Sequence, residues 1–137
     1  MTIERLIEEL HRGEHTLIVA KGEEVRRFSG RGVSDIYALF RDDSKWLCGA
    51  TIVDKIIGKG AAAIMIMAKP KAIYTDVISQ NGLALFRRHG VEVSYAEVTP
   101  HIIRRDGAGW CPVELLCRDI ESAEECIAPI GEFIGNY

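Results

Sequence analysis

The sequence has little of what usually settles a protein's chemistry at sight. Its 137 residues hold only four cysteines, Cys48, Cys111, Cys117 and Cys126, and no C-x-x-C pair. Cys111 and Cys117 are six apart and no His-x-x-x-His follows them, so the usual structural zinc spacings are missing. The opening stretch MTIERLIEEL is amphipathic and acidic and lacks the basic-then-apolar order of a signal peptide. The cysteines are therefore expected as reduced thiols and the chain as cytoplasmic. No apolar run approaches the roughly 20 residues that a membrane span needs, so no membrane partner is expected. A basic surplus is missing too. At a net charge of −3 there is no whole-protein attraction to nucleic acid or anionic lipid, and any anion site must be local. Arg26-Arg27 and Arg87-Arg88 are short basic pairs without interleaved aromatics, which gives nucleic-acid binding little support. Repeats, low-complexity tracts and linkers are also missing, and residues 1–137 read as one domain.

What is present is ordinary for a globular core: 47% hydrophobic and 27% charged residues. Ile3, Leu6, Ile7 and Leu10 recur at helical spacing behind Thr2, and Gly13 ends the segment. TLIVA, a Lys21-Gly22-Glu23 turn and the run Glu24 to Phe28 predict a β-hairpin. Ser34 should cap a short helix carrying Ile36, Leu39 and Phe40. The segment from Asp54 to Ala68 predicts a buried helix across Ile56–Ala68, since its second half has no polar face. Gly58 and Gly60 each cost such a helix about 1 kcal/mol relative to Ala, so close approach of a neighbour or ligand is expected there.

Ile73–Ile78 reads as a strand, Ser79 caps a helix through His89, Gly90 ends it, and Val91–Tyr95 is a further strand. That spacing suits a parallel right-handed crossover. Ser122 with Glu125 is a capping box for a last helix, in which Pro129 sits late. The predicted fold class is α/β, three layers α-β-α, with a mixed sheet between helices.

The densest cluster of signals is RRDGAGWCPVELLC, from Arg104 to Cys117. A loop of Gly107-Ala108-Gly109 leads into Cys111-Pro112, and proline is favoured at the first helical position. Cys111 then stands at an N-cap, a setting that favours a thiolate or a bound anion, with Glu114 in the first turn. Other candidates are Lys55 and Lys59, which would share one face at the start of the buried helix and hold an anion or else snorkel to solvent. Asp54 is a cap or a salt-bridge partner. Ser79, Gln80 and Asn81 follow a strand's carboxyl end, where ligands bind in α/β sheets. His11, His15 and His89 read as surface residues.

The order helix, hairpin, buried helix, strand–helix–strand resembles the cytidine deaminase-like fold. In detail the chain is similar to an uncharacterised bacterial family placed in that fold, through Asp54-Lys55, Gly58-Lys59, the alanine run, Gly90, Gly107 and Cys111-Pro112-x-Glu114. Zinc deaminases hold metal through a His or Cys opening the central helix and two Cys of a P-C-x-x-C turn, with a Glu two places after the first ligand. Matching the central-helix motif to Ala63-Ile64 puts Gly58 at the first ligand and Gly60 at the proton carrier. The two cysteines fall on Ser79 and Gly82. All four are missing, so no metal and no cofactor is expected.

Three readings follow. The first is a zinc-independent deaminase-like domain binding a small anionic or nucleotide-like ligand through Asp54, Lys55, Lys59, Ser79, Asn81, Gly107 and Gly109. The second is a thiol enzyme with Cys111 as nucleophile and Glu114 or His101 assisting. The third is a structural or interaction module. Whether the chain is an enzyme, and whether it forms a homo-oligomer, the sequence leaves open.

Overall fold

A computed structural model of the chain describes residues 2–30, 32–103, 107 and 109–135. The first helix, α1 (Ile3–His11), begins where Thr2 Oγ1 accepts the Arg5 N–H and ends before Gly13 in the left-handed region. The hairpin follows as β1 (Leu17–Lys21) and β2 (Glu24–Phe28). Helix α2 (Ser34–Leu47) is longer than expected, and its N-cap is Val33, so Ser34 is its first residue rather than its cap. Then come β3 (Thr51–Ile57), α3 (Lys59–Ala68), β4 (Ala72–Ser79), α4 (Gln80–Arg88), β5 (Ser94–Thr99), α5 (Pro112–Cys117) and α6 (Ala123–Gly135).

The five strands form one mixed sheet in the order β2-β1-β3-β4-β5. β1 pairs antiparallel with both β2 and β3, whereas β3, β4 and β5 run parallel. One face carries α1: Leu6 and Leu10 pack with Ile18, Ala20 and Val53. The other face carries the larger core, where Leu17, Val19, Ile52 and Ile73 meet buried residues of α2 through α6. Helix α3 lies inside that core, with Ala62, Ala63 and Met65 wholly buried, as its lack of a polar face requires.

The largest departure from the sequence reading is β3. The predicted helix began at Ile56, but Thr51–Ile57 is a strand and the helix starts only at Lys59. Strict alternation is the usual sign of a strand, and here it fails. Ile52 and Ile57, five residues apart, lie in the same core, as do Ile73 and Ile78 on β4. The phase slips where Asp54 pairs with Thr75 and Ile56 with Val77. β5 is likewise displaced, to Ser94–Thr99 from the predicted Val91–Tyr95, and it is exposed along nearly its whole length. Two local readings hold. Ser79 Oγ accepts the Gly82 N–H at 3.0 Å as the cap of α4, and Ser122 Oγ accepts the Glu125 N–H at 3.2 Å before α6.

Candidate functional site

A cavity of about 560 Å³ opens where β3 ends and α3 begins. Thr16 and Leu17 at the start of β1, Asp35 and Ile36 of α2, and Asp54, Lys55 and Ile56 of β3 line it. Its other walls are the turn at Gly30, Gly32 and Val33, the N-cap Gly58 with Gly60 and Ala61 of α3, Ile102 and Ile103, and Cys111 through Glu114. The place follows from topology: here the sheet changes from antiparallel to parallel pairing, at the carboxyl end of a parallel strand.

Glu114 organises one wall. It is 1% exposed, and three donors converge on its carboxylate. Its Oε1 accepts the Lys59 backbone N–H at 2.9 Å and the Ser79 hydroxyl at 3.0 Å, and its Oε2 accepts the Ile102 N–H at 2.8 Å. The first turn of α3, whose N-cap Gly58 offers no side chain, is thus capped by a residue 55 positions away. The surrounding glycines allow the approach. A Cβ at Gly58 would stand 3.1 Å from Glu114 Oε2, and one at Gly82 would stand 3.1 Å from the Gly58 backbone. One at Gly60 would lie 2.4 Å from Val113 Cγ1. Close approach of α5 and α4 is the reason for glycine at these places.

Asp54 carries the unusual electrostatics. Burial beside the cavity, with Asp35 and Asp76 adding like charge, pushes its carboxyl up to about 7; the Ile56 and Lys55 amides oppose the shift. Asp35 is already engaged, accepting the Gly30 N–H at 2.8 Å.

The structure divides the predicted site residues. Asp54, Lys55, Cys111 and Glu114 face this cavity, whereas Lys59 and Asn81 face a second one of about 360 Å³. Lys55 is on a strand, so the proposed Lys55–Lys59 pair on one helix face does not exist. The Lys59 ammonium, 8% exposed in its residue, donates to the carbonyls of Arg118 (3.1 Å) and Ile120. Ser79 lies beneath, bonded to Glu114. Gly107 and Gly109 have positive φ and line neither cavity, while Arg104, Arg105, Asp106 and Ala108 lie outside the described residues.

Glu114, expected beside Cys111 as an assisting group, has both carboxylate oxygens committed to other donors. His101 stacks on Trp110 with ring centroids 4.3 Å apart. Of the histidines read as surface residues, His11 bonds Asp76 at 2.7 Å and His89 Nε2 accepts the Ala123 N–H. Cys117 and Cys126 are both buried. A hydrogen bond from the Cys117 thiol to Cys126, reinforced by burial, pushes Cys117 far above the usual thiol range. The same bond lowers Cys126, and the Lys59 charge acts in that direction too. Among the described residues no three His, Cys, Asp or Glu side chains come together as a metal site.

The sequence reading missed Thr16 and Asp35; it named Asp54 as a cap or salt-bridge partner and among the ligand-binding candidates, and Asp54, in the middle of β3, caps no helix. One signal was available for Asp54: an acidic residue in the midst of the apolar run TIVDKII.

Residues 5–134 match the family model TM1506, a domain of unknown function, DUF1893. The chain belongs to the DUF1893 family. A DUF1893 protein of Thermotoga maritima (TM1506), whose crystal structure was determined at 2.70 Å resolution, is similar throughout. The two chains are 27% identical, with a TM-score of 0.87 over 95% of this chain and 88% of the other. No curated protein matches. Membership of DUF1893 thus brings a fold and no activity. Among the described residues no helix is long and apolar enough to cross a membrane.

Proposed function

We propose that this DUF1893 domain binds a small ligand in the cavity at the end of β3. The observation that carries this reading is Asp54. An ionisable carboxyl held near neutrality against an open cavity works against stability, and such groups concentrate at functional sites. The walls suit a nucleotide-like molecule with a flat, largely apolar ring. Its N–H groups would meet Asp54 and Asp35, and an anionic group on the same molecule would meet Lys55.

We infer further that the fold is of the cytidine deaminase-like kind without its metal. Gly58, Ser79 and Gly82, the positions matched to the three zinc ligands, cluster in space. A Cβ at Gly82 would lie 3.1 Å from the Gly58 backbone and 3.2 Å from Ser79 Oγ. Glu114 reaches into that cluster and bonds Ser79 and the Lys59 amide. A carboxylate from α5 thus ties together the elements that a zinc ion joins in the enzymes. This supports ligand binding without metal-assisted hydrolysis. It leaves the Cys111 thiol, on the same cavity wall, as the nucleophile of the competing enzyme reading.

A thermal-shift screen of nucleosides, nucleotides, carboxylates and heterocyclic amines tests the proposal. A binder should raise the melting temperature of the parent protein, as selective binding to the folded state requires. Asp54→Asn should weaken that rise and Ala61→Leu, which fills the cavity, should abolish it. A rise that survives in Ala61→Leu places the ligand elsewhere.

A further inference from the structure

We propose that the second cavity, between α4 and the turn after α5, is a binding site for a phosphate group. It is separate from the Asp54 cavity and stands whether or not that cavity holds a ligand. Lys59 carries the argument. Its side chain is buried, and the ammonium has three N–H groups in tetrahedral array, of which two reach the Arg118 and Ile120 carbonyls. Carbonyls accept hydrogen bonds without neutralising charge. Among the described residues no carboxylate pairs with the Lys59 ammonium; the Cys126 thiol, which it lowers, feels its charge from within the core, and a buried charge without a full counter-ion is costly.

The cavity faced by Lys59 also takes in Arg88, Arg118 and the Asn81 amide. Two acids share it, Asp119 and Glu121. Asp119 is 86% exposed in its side chain and meets Arg118 only at 3.6 Å, and Glu121 is exposed too, so three cations against two solvated acids leave the lining positive by one charge. Arg88 and Asn81 both stand on α4, seven residues apart and therefore on one side of it. Lys59, Arg88 and Asn81 thus line the cavity from α3 and α4, and Arg118, whose guanidinium also lies 5.6 Å over the Trp110 ring, stands on the turn that closes it. A tetrahedral oxyanion with several acceptor oxygens is the ligand that such a set can satisfy together, and arginine is the usual partner of phosphate. At about 360 Å³ the space exceeds one phosphate, so a phosphomonoester fits the volume as well as the free ion.

Calorimetric titration of the whole chain at constant ionic strength provides the test, with inorganic phosphate and glycerol phosphate as separate probes. Saturable binding is expected, tighter for whichever form is natural. Arg88→Gln and Arg118→Gln should each weaken it by about five- to tenfold, because each removes a charge-assisted contact at an exposed edge. Both arginines are exposed, so these variants keep their fold where Lys59→Met, which strands two carbonyls, would endanger it. Asp54→Asn, in the other cavity, should leave phosphate binding unchanged. Binding absent at millimolar phosphate, or undiminished in the Arg88→Gln/Arg118→Gln double variant, overturns the proposal.

Discussion

Replacing Asp54 by Asn should make the protein more stable, and only above a defined pH. The carboxyl rises from 3.8 in the unfolded chain to about 7 in the fold, chiefly through burial and then through Asp35 and Asp76. A group whose folded-state value is raised binds its proton more tightly when folded. Its stabilising contribution is therefore complete below about pH 4 and drains away as pH rises to about 7, after which the curve is flat. At about 1.4 kcal/mol per pH unit the ceiling on this loss is about 4 kcal/mol. Asp54 is only partly buried and borders an open cavity that water reaches, so about 1–3 kcal/mol is the expected size.

Asparagine keeps an oxygen to accept the Ile56 N–H, whose present bond is a long 3.5 Å, and carries no charge to desolvate. Urea denaturation of both proteins from pH 4 to pH 8 measures the difference directly. The variant should match the parent near pH 4 and exceed it by about 1–3 kcal/mol at pH 8, or about 3–9 °C in melting temperature. Glu9 and Asp42 have lowered values, through Arg27 and Arg41 respectively, and their effects fall below about pH 4.5. They are common to both proteins and cancel in the comparison. A difference that is constant with pH, or one that favours the parent at pH 8, would refute an Asp54 carboxyl held near neutrality.

Three further outcomes follow from the packing. Glu114→Gln should lose about 2–4 kcal/mol in the same denaturation assay, because an amide offers one acceptor oxygen where three donors now converge, and its NH₂ would face a donor N–H. Gly60→Ala should destabilise by about 1–2 kcal/mol although alanine is the better helix former, since its Cβ would overlap Val113; an increase in melting temperature would contradict that contact. Under a mild alkylating reagent at neutral pH, Cys111 and the exposed Cys48 should be labelled in the native protein, and Cys117 and Cys126 only after denaturation, as read by peptide mass spectrometry. Labelling of Cys111 ahead of Cys48 would favour the thiol-enzyme reading, because exposure alone favours Cys48.

What the sequence disclosed and what it hid divide along one physical line. The hairpin, the cap at Ser79, the proline-led helix after Cys111 and the Ser122–Glu125 pair are set by neighbours within a few residues, and local chemistry suffices to read them. Strand β3 escaped because its pattern is set from outside. Val53 answers to α1 on one face and Ile52 to the large core on the other. The slip beyond Asp54 then brings Ile57 back to the core that Ile52 already occupies. No fixed period survives that arrangement, and the glycines after it imitate a helix start.

The site was half legible for the same reason. Cys111, Glu114, Asp54 and Lys55 stood out as residue types in suggestive settings, but their roles come from partners far along the chain. Glu114 caps α3 across 55 residues, holds Ser79 across 35, and reaches Ile102 across 12. Lys59 closes the turn after α5 across 59 and 61 residues. Each charged group at the start of α3 has thus been assigned by tertiary contact, the carboxylate to the helix amide and the ammonium to the carbonyls. Lys59 belongs to both assignments, through its backbone on one side and its side chain on the other. A ligand that alters how α5 sits against α3 would therefore act on both cavities through this one residue. Phosphate affinity measured with the Asp54 cavity filled and empty, using an uncharged ligand so that direct repulsion between bound anions does not enter, would read that coupling, and equal affinities would refute it.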